Sequence, residues 1–123
     1  MRVILVGVAG FFGAISRYWL SGLISRLTGG AFPWGTFVIN ISGCFVIGFL
    51  TVLLTNKVLP HPAMRTAILV GFIGAYTTFS TFSYETLQLA RGGAVLLAAV
   101  NVAASVVVGL GAAWVGMRLG GAL

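Results

Sequence analysis

Gly71-Phe72-Ile73-Gly74-Ala75-Tyr76-Thr77-Thr78-Phe79-Ser80-Thr81-Phe82-Ser83 sits in the middle of an apolar run that extends from about Ala63 to Leu89. It places two glycines, five Ser or Thr residues and, from Tyr76 onward, three aromatics in a segment otherwise built to be greasy. Glycine loses backbone entropy in a helix and hydroxyls compete for backbone hydrogen bonds, so a helix is weakest here. A helix broken at membrane depth leaves carbonyl and amide groups that protein, water or a bound ion must satisfy. Broken half-helices of this kind make ion sites in membrane proteins. The alternative is an unbroken helix whose inward Ser and Thr bond their own carbonyls.

Three further apolar runs flank this one. The first goes from about Val3 to Ile24, interrupted by Arg17, and is followed by a Gly- and Ser-rich connector, Ser25 to Pro33. Pro33 suits the first turn of a new helix, and the second run spans about Trp34 to Leu54. Thr55 to Pro62, with two prolines, reads as a turn. Arg91-Gly92-Gly93 ends the third run; the fourth goes from about Ala94 to Val115 and is closed by Arg118 and the glycines after it. A helical crossing takes about 20 residues, so four crossings use most of the 123.

Composition agrees. The chain is 59% hydrophobic and 7% charged, where a soluble domain carries about a quarter charged residues to stay wetted. The surface must therefore face lipid. The expectation is an all-α integral membrane protein, one transmembrane domain over residues 1–123 with four helices and no room for a soluble or nucleotide-binding part. The net charge of +6 comes from scattered single residues, with no basic cluster to hold nucleic acid. Cys44 is the single cysteine and His61 the single histidine, which makes neither a disulfide nor a zinc set. The start MRVILVGVAG has the charge and greasiness of a signal peptide, but no convincing small-x-small cleavage site follows and the next apolar segments continue the same pattern, so it reads as a retained first helix.

Trp19, Trp34 and Trp114 are read as lying near span ends, where amphipathic rings favour the headgroup region. Ala9 and Gly13, Gly10 and Ala14, and Ala112 and Gly116 are four apart, a spacing that lets helices approach closely. Four spans put Arg2, Lys57, Arg65 and Arg118 on one side, against Arg26, Arg91 and, if it snorkels that way, Arg17 on the other. So small a positive-inside bias lets a chain insert both ways, and two copies could then pair antiparallel.

Polar groups inside spans are costly and therefore functional candidates. Asn40, in Trp34-Gly35-Thr36-Phe37-Val38-Ile39-Asn40-Ile41-Ser42-Gly43, offers amide donors and an acceptor; a plain interhelix hydrogen bond is the competing role. Asn101 in the fourth run reads more simply as such a bond. Arg17, in Gly13-Ala14-Ile15-Ser16-Arg17-Tyr18, is close enough to a span end to snorkel. Glu85, the single acid, either faces a vestibule or pairs with an arginine.

These three clusters resemble the signatures of the Fluc (CrcB) fluoride-channel family: GAxxRY, WGTxxxNxxG and GxxGxxTTFSTF, in that order and in the matching spans. The resemblance covers essentially the whole chain, with Ala75 standing where the pattern often has a second glycine. It implies an antiparallel, dual-topology homodimer with the third helix broken mid-membrane and two pores along the subunit interface. It implies that Gly74 and Thr77 supply backbone carbonyls to a central structural sodium ion (Na+). It puts Phe79 and Phe82 on the fluoride path and makes Asn40 a donor to the ion, with Thr78, Ser80, Thr81 and Ser83 as candidates for a polar track. Fluoride is small, hard and strongly hydrated, so a dry pore must replace its water with directed donors; amides, hydroxyls and the positive edge of a Phe ring are such donors. The implied activity is passive export of fluoride across a prokaryotic cell (inner) membrane, without enzymatic chemistry. A small proton-coupled multidrug exporter shares the architecture but needs a carboxylate in its first span, where this chain has Arg17 and no acid. A structural subunit of a larger membrane complex is the other rival.

Overall fold

The computed structural model describes residues 1–55 and 61–123. Its elements are α1 (Arg2–Thr28), α2 (Trp34–Leu53), α3 (Pro62–Thr66), a π-helical stretch (Ala67–Ile73), α4 (Gly74–Tyr76), α5 (Phe79–Arg91) and α6 (Val95–Ala122). Among the described residues four stretches are long and apolar enough to cross a membrane: Arg2–Thr28, Trp34–Leu53, Pro62–Arg91 and Val95–Ala122. The described chain is all-α.

The helices outrun their apolar stretches. α1 continues through the expected connector to Thr28, whose hydroxyl donates to the Ile24 carbonyl at 2.8 Å, and stops where Gly29 takes φ 60°. That left-handed value is open to glycine, which has no Cβ to clash. Pro33 is not inside the first turn of α2 but caps it from just outside. Pro62, assigned to a turn, instead opens α3; residues 56–60 of that turn, Lys57 among them, lie outside the described residues. The fourth helix does not close near Val115. It runs on through Arg118, whose guanidinium lies 5.2 Å from the Trp114 ring centre, to Ala122. Trp34 opens its helix, whereas Trp19 and Trp114 consequently sit further from helix ends than the apolar runs implied.

Packing explains that extension. α2 lies closely along α6. Gly116 meets the Phe45 backbone so tightly that a Cβ there would overlap the Phe45 carbonyl. Small residues let two backbones touch where lipid offers no hydrophobic drive between helices. α1 makes the same kind of contact with the π-helical stretch, where a Cβ on Gly13 would overlap the Phe72 carbonyl. Gly10 approaches less closely, 3.6 Å from the Gly71 carbonyl oxygen by the same measure. The third span changes partner along its length. Its first half packs on α1, and α5 packs on α6. Between them Thr77 (φ −82°, ψ 159°) and Thr78 (φ −149°, ψ 116°) are extended, leaving helical geometry for two residues.

Candidate functional site

The extended residues are held from α2. Asn40 Nδ2 donates to the Thr78 carbonyl at 2.9 Å, and the Thr78 N–H donates to Asn40 Oδ1 at 2.8 Å. A backbone N–H can only donate and a carbonyl can only accept, so these two bonds also fix which way the amide faces. Thr78 then caps α5: its Oγ1 accepts from the Thr81 N–H at 3.2 Å and donates to Thr81 Oγ1 at 3.0 Å, the usual role of a threonine before a helix.

These diversions free carbonyls. In a continuous helix the Thr78 N–H would bond the Gly74 carbonyl and the Thr81 N–H the Thr77 carbonyl. Both donors are given to side chains instead. Gly74 is exposed, and a Cβ on it would meet nothing within 4 Å. Two neutral oxygens without their regular helical donors are a donor set suited to a hard cation. Gly74 and Thr77 thus fit the role the resemblance gives them.

Asn40 also faces a cavity of about 370 Å³ together with Cys44, Thr77, Phe79, Phe82 and Ser105. One of its two amide protons goes to Thr78, which leaves the other free to donate. Phe79 is 79% exposed, with its ring centre 5.7 Å from that of Phe82. Ser105 Oγ is buried and has no hydrogen-bond partner among the described residues. Sequence reasoning passed over Ser105; its spacing of one helical turn from Asn101 on the same span is the signal that points to it.

The remaining hydroxyls separate. Ser80 is exposed, 3.4 Å from Thr78 Oγ1. Ser83 donates to the Phe79 carbonyl at 2.9 Å and so uses its proton within its own helix. Thr81 lines a second cavity of about 260 Å³ with half-buried Arg17, Thr36 and Thr78. Thr36 in turn donates to Glu85 Oε1 at 2.9 Å, so among the described residues the acid is held by a threonine of α2 and not by an arginine, and its buried Oε2 has no partner there. Asn101 is 1% exposed and donates to Thr86 Oγ1 at 2.9 Å, the interhelix bond expected of it.

Known proteins align with this chain along nearly all of its length. A family model described as CrcB-like protein, Camphor Resistance (CrcB), matches residues 4–117. A protein of Geotalea daltonii named fluoride-specific ion channel FluC is 45% identical over 115 residues, 94% of this chain and 93% of that one. One of Solibacter usitatus with the same name is 44% identical over 119 residues, covering 97% and 98%. Another, of Nitratidesulfovibrio vulgaris, is 40% identical over 119 residues, covering 97% and 96%. With the family model and these relatives matching nearly end to end, the chain belongs to the CrcB family.

Proposed function

We propose that this protein is a passive fluoride channel that exports cytoplasmic fluoride, working as an antiparallel, dual-topology homodimer in a prokaryotic inner membrane. The observation that carries the reading is one cavity lined by Asn40, which has a second amide proton to give, by Phe79 and Phe82, and by Ser105, whose buried hydroxyl has no partner among the described residues. Each presents positive charge to an anion, and none adds a full charge that would trap it. The relatives are named for the same activity. Phe79, so exposed in one copy, suits a surface that a second copy covers.

The interruption at Thr77 and Thr78 lies, in this reading, at mid-membrane depth, and the Gly74 and Thr77 carbonyls of two copies hold a shared sodium ion. When bound, that ion supplies the positive charge that four converging carbonyl dipoles require. Arg17, Thr36 and Thr81 form the polar mouth through which an anion approaches Thr78, and Ser80 adds an exposed hydroxyl beside it. Ser83 stays a candidate for the polar track, and to meet an anion it would turn its proton away from the Phe79 carbonyl. The multidrug-exporter alternative gains nothing, since the single carboxylate is in the third span and bonded to Thr36.

The test is fluoride efflux from proteoliposomes read by a fluoride electrode, with chloride as the control ion. Vesicles with the protein should release fluoride and retain chloride. Phe79→Ile and Phe82→Ile should slow release at least about tenfold, the effect of about 1.4 kcal/mol on a barrier, while the protein still elutes as a folded dimer. Vesicles as tight to fluoride as protein-free ones would end the channel reading; unchanged efflux in both variants would remove the rings from the path.

A further inference from the structure

Three consecutive residues at the end of α4 are each fastened to α2. Thr78 exchanges two hydrogen bonds with Asn40. The Thr77 methyl sits where Gly43 has no Cβ, so closely that any side chain there would collide with it. The third fastening is a hydroxyl pair, with Tyr76 Oη 2.9 Å from Ser42 Oγ. Its direction follows from a neighbour. Ser42 Oγ donates to the Ile39 carbonyl at 3.0 Å; a hydroxyl has one proton, so the proton between the two oxygens belongs to Tyr76. The chain Tyr76 to Ser42 to Ile39 runs one way, each bond polarising the next.

Asn40 and Gly43 occupy fixed positions of WGTxxxNxxG, whereas Ser42 and Tyr76 fall on open positions of that motif and of GxxGxxTTFSTF. The hydroxyl pair is therefore separate from the motif and has to be explained from its own geometry. Tyr76 is the last helical residue before the backbone turns extended, and it is 9% exposed. Its ring stacks on Phe72, 6.1 Å between centres and 7° between planes. The ring is braced by the preceding turn of its own span, with its edge near Gly43, and the hydroxyl is what ties α4 to Ser42 of α2.

We propose that the Tyr76–Ser42 pair is a positioning latch that fixes the rotation of α4, and with it the aim of the Gly74 and Thr77 carbonyls. The inference rests on the reading of those carbonyls as a cation site. Tyr76 and Ser42 touch no ion; they act through the backbone they hold. Loss of the latch leaves the carbonyls present but less well aimed, so cation affinity falls while the conducting form, once filled, is unchanged.

The test uses the full-length protein with Tyr76→Phe, Ser42→Ala, both together, and Ser42→Thr, which keeps the hydroxyl. Sodium is titrated against N-methylglucamine, and two quantities are read: thermal unfolding in detergent, and fluoride efflux from liposomes. Each hydroxyl deletion should raise the sodium concentration for half-maximal stabilisation about fivefold, the weight of one neutral hydrogen bond. The double variant should be no worse than the larger single, and Ser42→Thr should titrate as wild type. Efflux in Tyr76→Phe should be slow at low sodium and recover at high sodium. A uniform loss of thermal stability with the sodium midpoint unmoved overturns the latch and makes the pair simple packing. Additive effects of the two deletions also overturn it. A wild-type protein that sodium stabilises but that passes no fluoride overturns the channel function alone, and the latch is still read from the midpoint.

Discussion

The third and fourth spans both carry residues that weaken a helix, yet their backbones differ. α6 holds Asn101, Ser105 and five glycines from Gly109 to Gly121, yet runs unbroken from Val95 to Ala122. The third span holds two glycines and a Thr- and Ser-rich stretch, and it is extended at Thr77 and Thr78. Residues that weaken a helix are therefore not enough to interrupt one. The difference lies in the partner. Asn101 reaches only a side chain, Thr86 Oγ1, and its own backbone stays helical. Asn40 reaches both backbone groups of Thr78 and replaces the bonds that the helix gives up. A backbone can leave the helix out of reach of water only where something else satisfies it. Two of the glycines of α6, Gly116 and Gly120, are supported as well, because the α2 backbone occupies the space a side chain would take.

The sharpest way to break this comparison is Asn40→Ala. It strands the Thr78 N–H and carbonyl together, at about 1–3 kcal/mol each, so the folded protein should lose several kcal/mol and fluoride efflux should fall more than about tenfold. Unfolding in detergent at the wild-type midpoint would show that the interruption does not depend on Asn40. Thr78→Val keeps the shape and removes the cap of α5, an effect of about 1 kcal/mol; hydrogen exchange at Thr81 should quicken while α6 is unaffected. The smallest effect belongs to the fourth span. Thr86→Val takes away the hydroxyl that Asn101 uses, a loss of about 0.6 kcal/mol by the measured average for such bonds within membranes. Efflux should stay at the wild-type rate, and a large drop would mean that Asn101 does more than pack.

Much of this was legible in the sequence, for reasons that differ by residue. The four spans follow from apolar length alone, since no other use of such runs satisfies the backbone. Asn101 was readable as an interhelix bond because an isolated amide in a greasy helix has few other options. Helix ends were less readable. α1 and α6 extend past their apolar runs because Thr28 bonds back to Ile24 and because Gly116 lies against α2. Neither signal shows as hydrophobicity. Ser105 was missed because a single serine in a long helix usually bonds its own backbone; its one-turn spacing from Asn101 is a faint signal until the surrounding cavity gives it weight.

What the sequence alone determined is a membrane solution: four apolar helices, a weak stretch within Gly71 to Ser83, and an amide at Asn40 that had to bond something. Only the tertiary structure decided what that something was. It brought Asn40 against Thr78, 38 positions along the chain, where the amide satisfies the backbone and keeps one proton free. It also gave Glu85 to Thr36. The physical reason is common to both. Local sequence sets how readily a backbone leaves the helix, but the partner that makes departure affordable comes from another helix, and its arrival depends on how the helices pack.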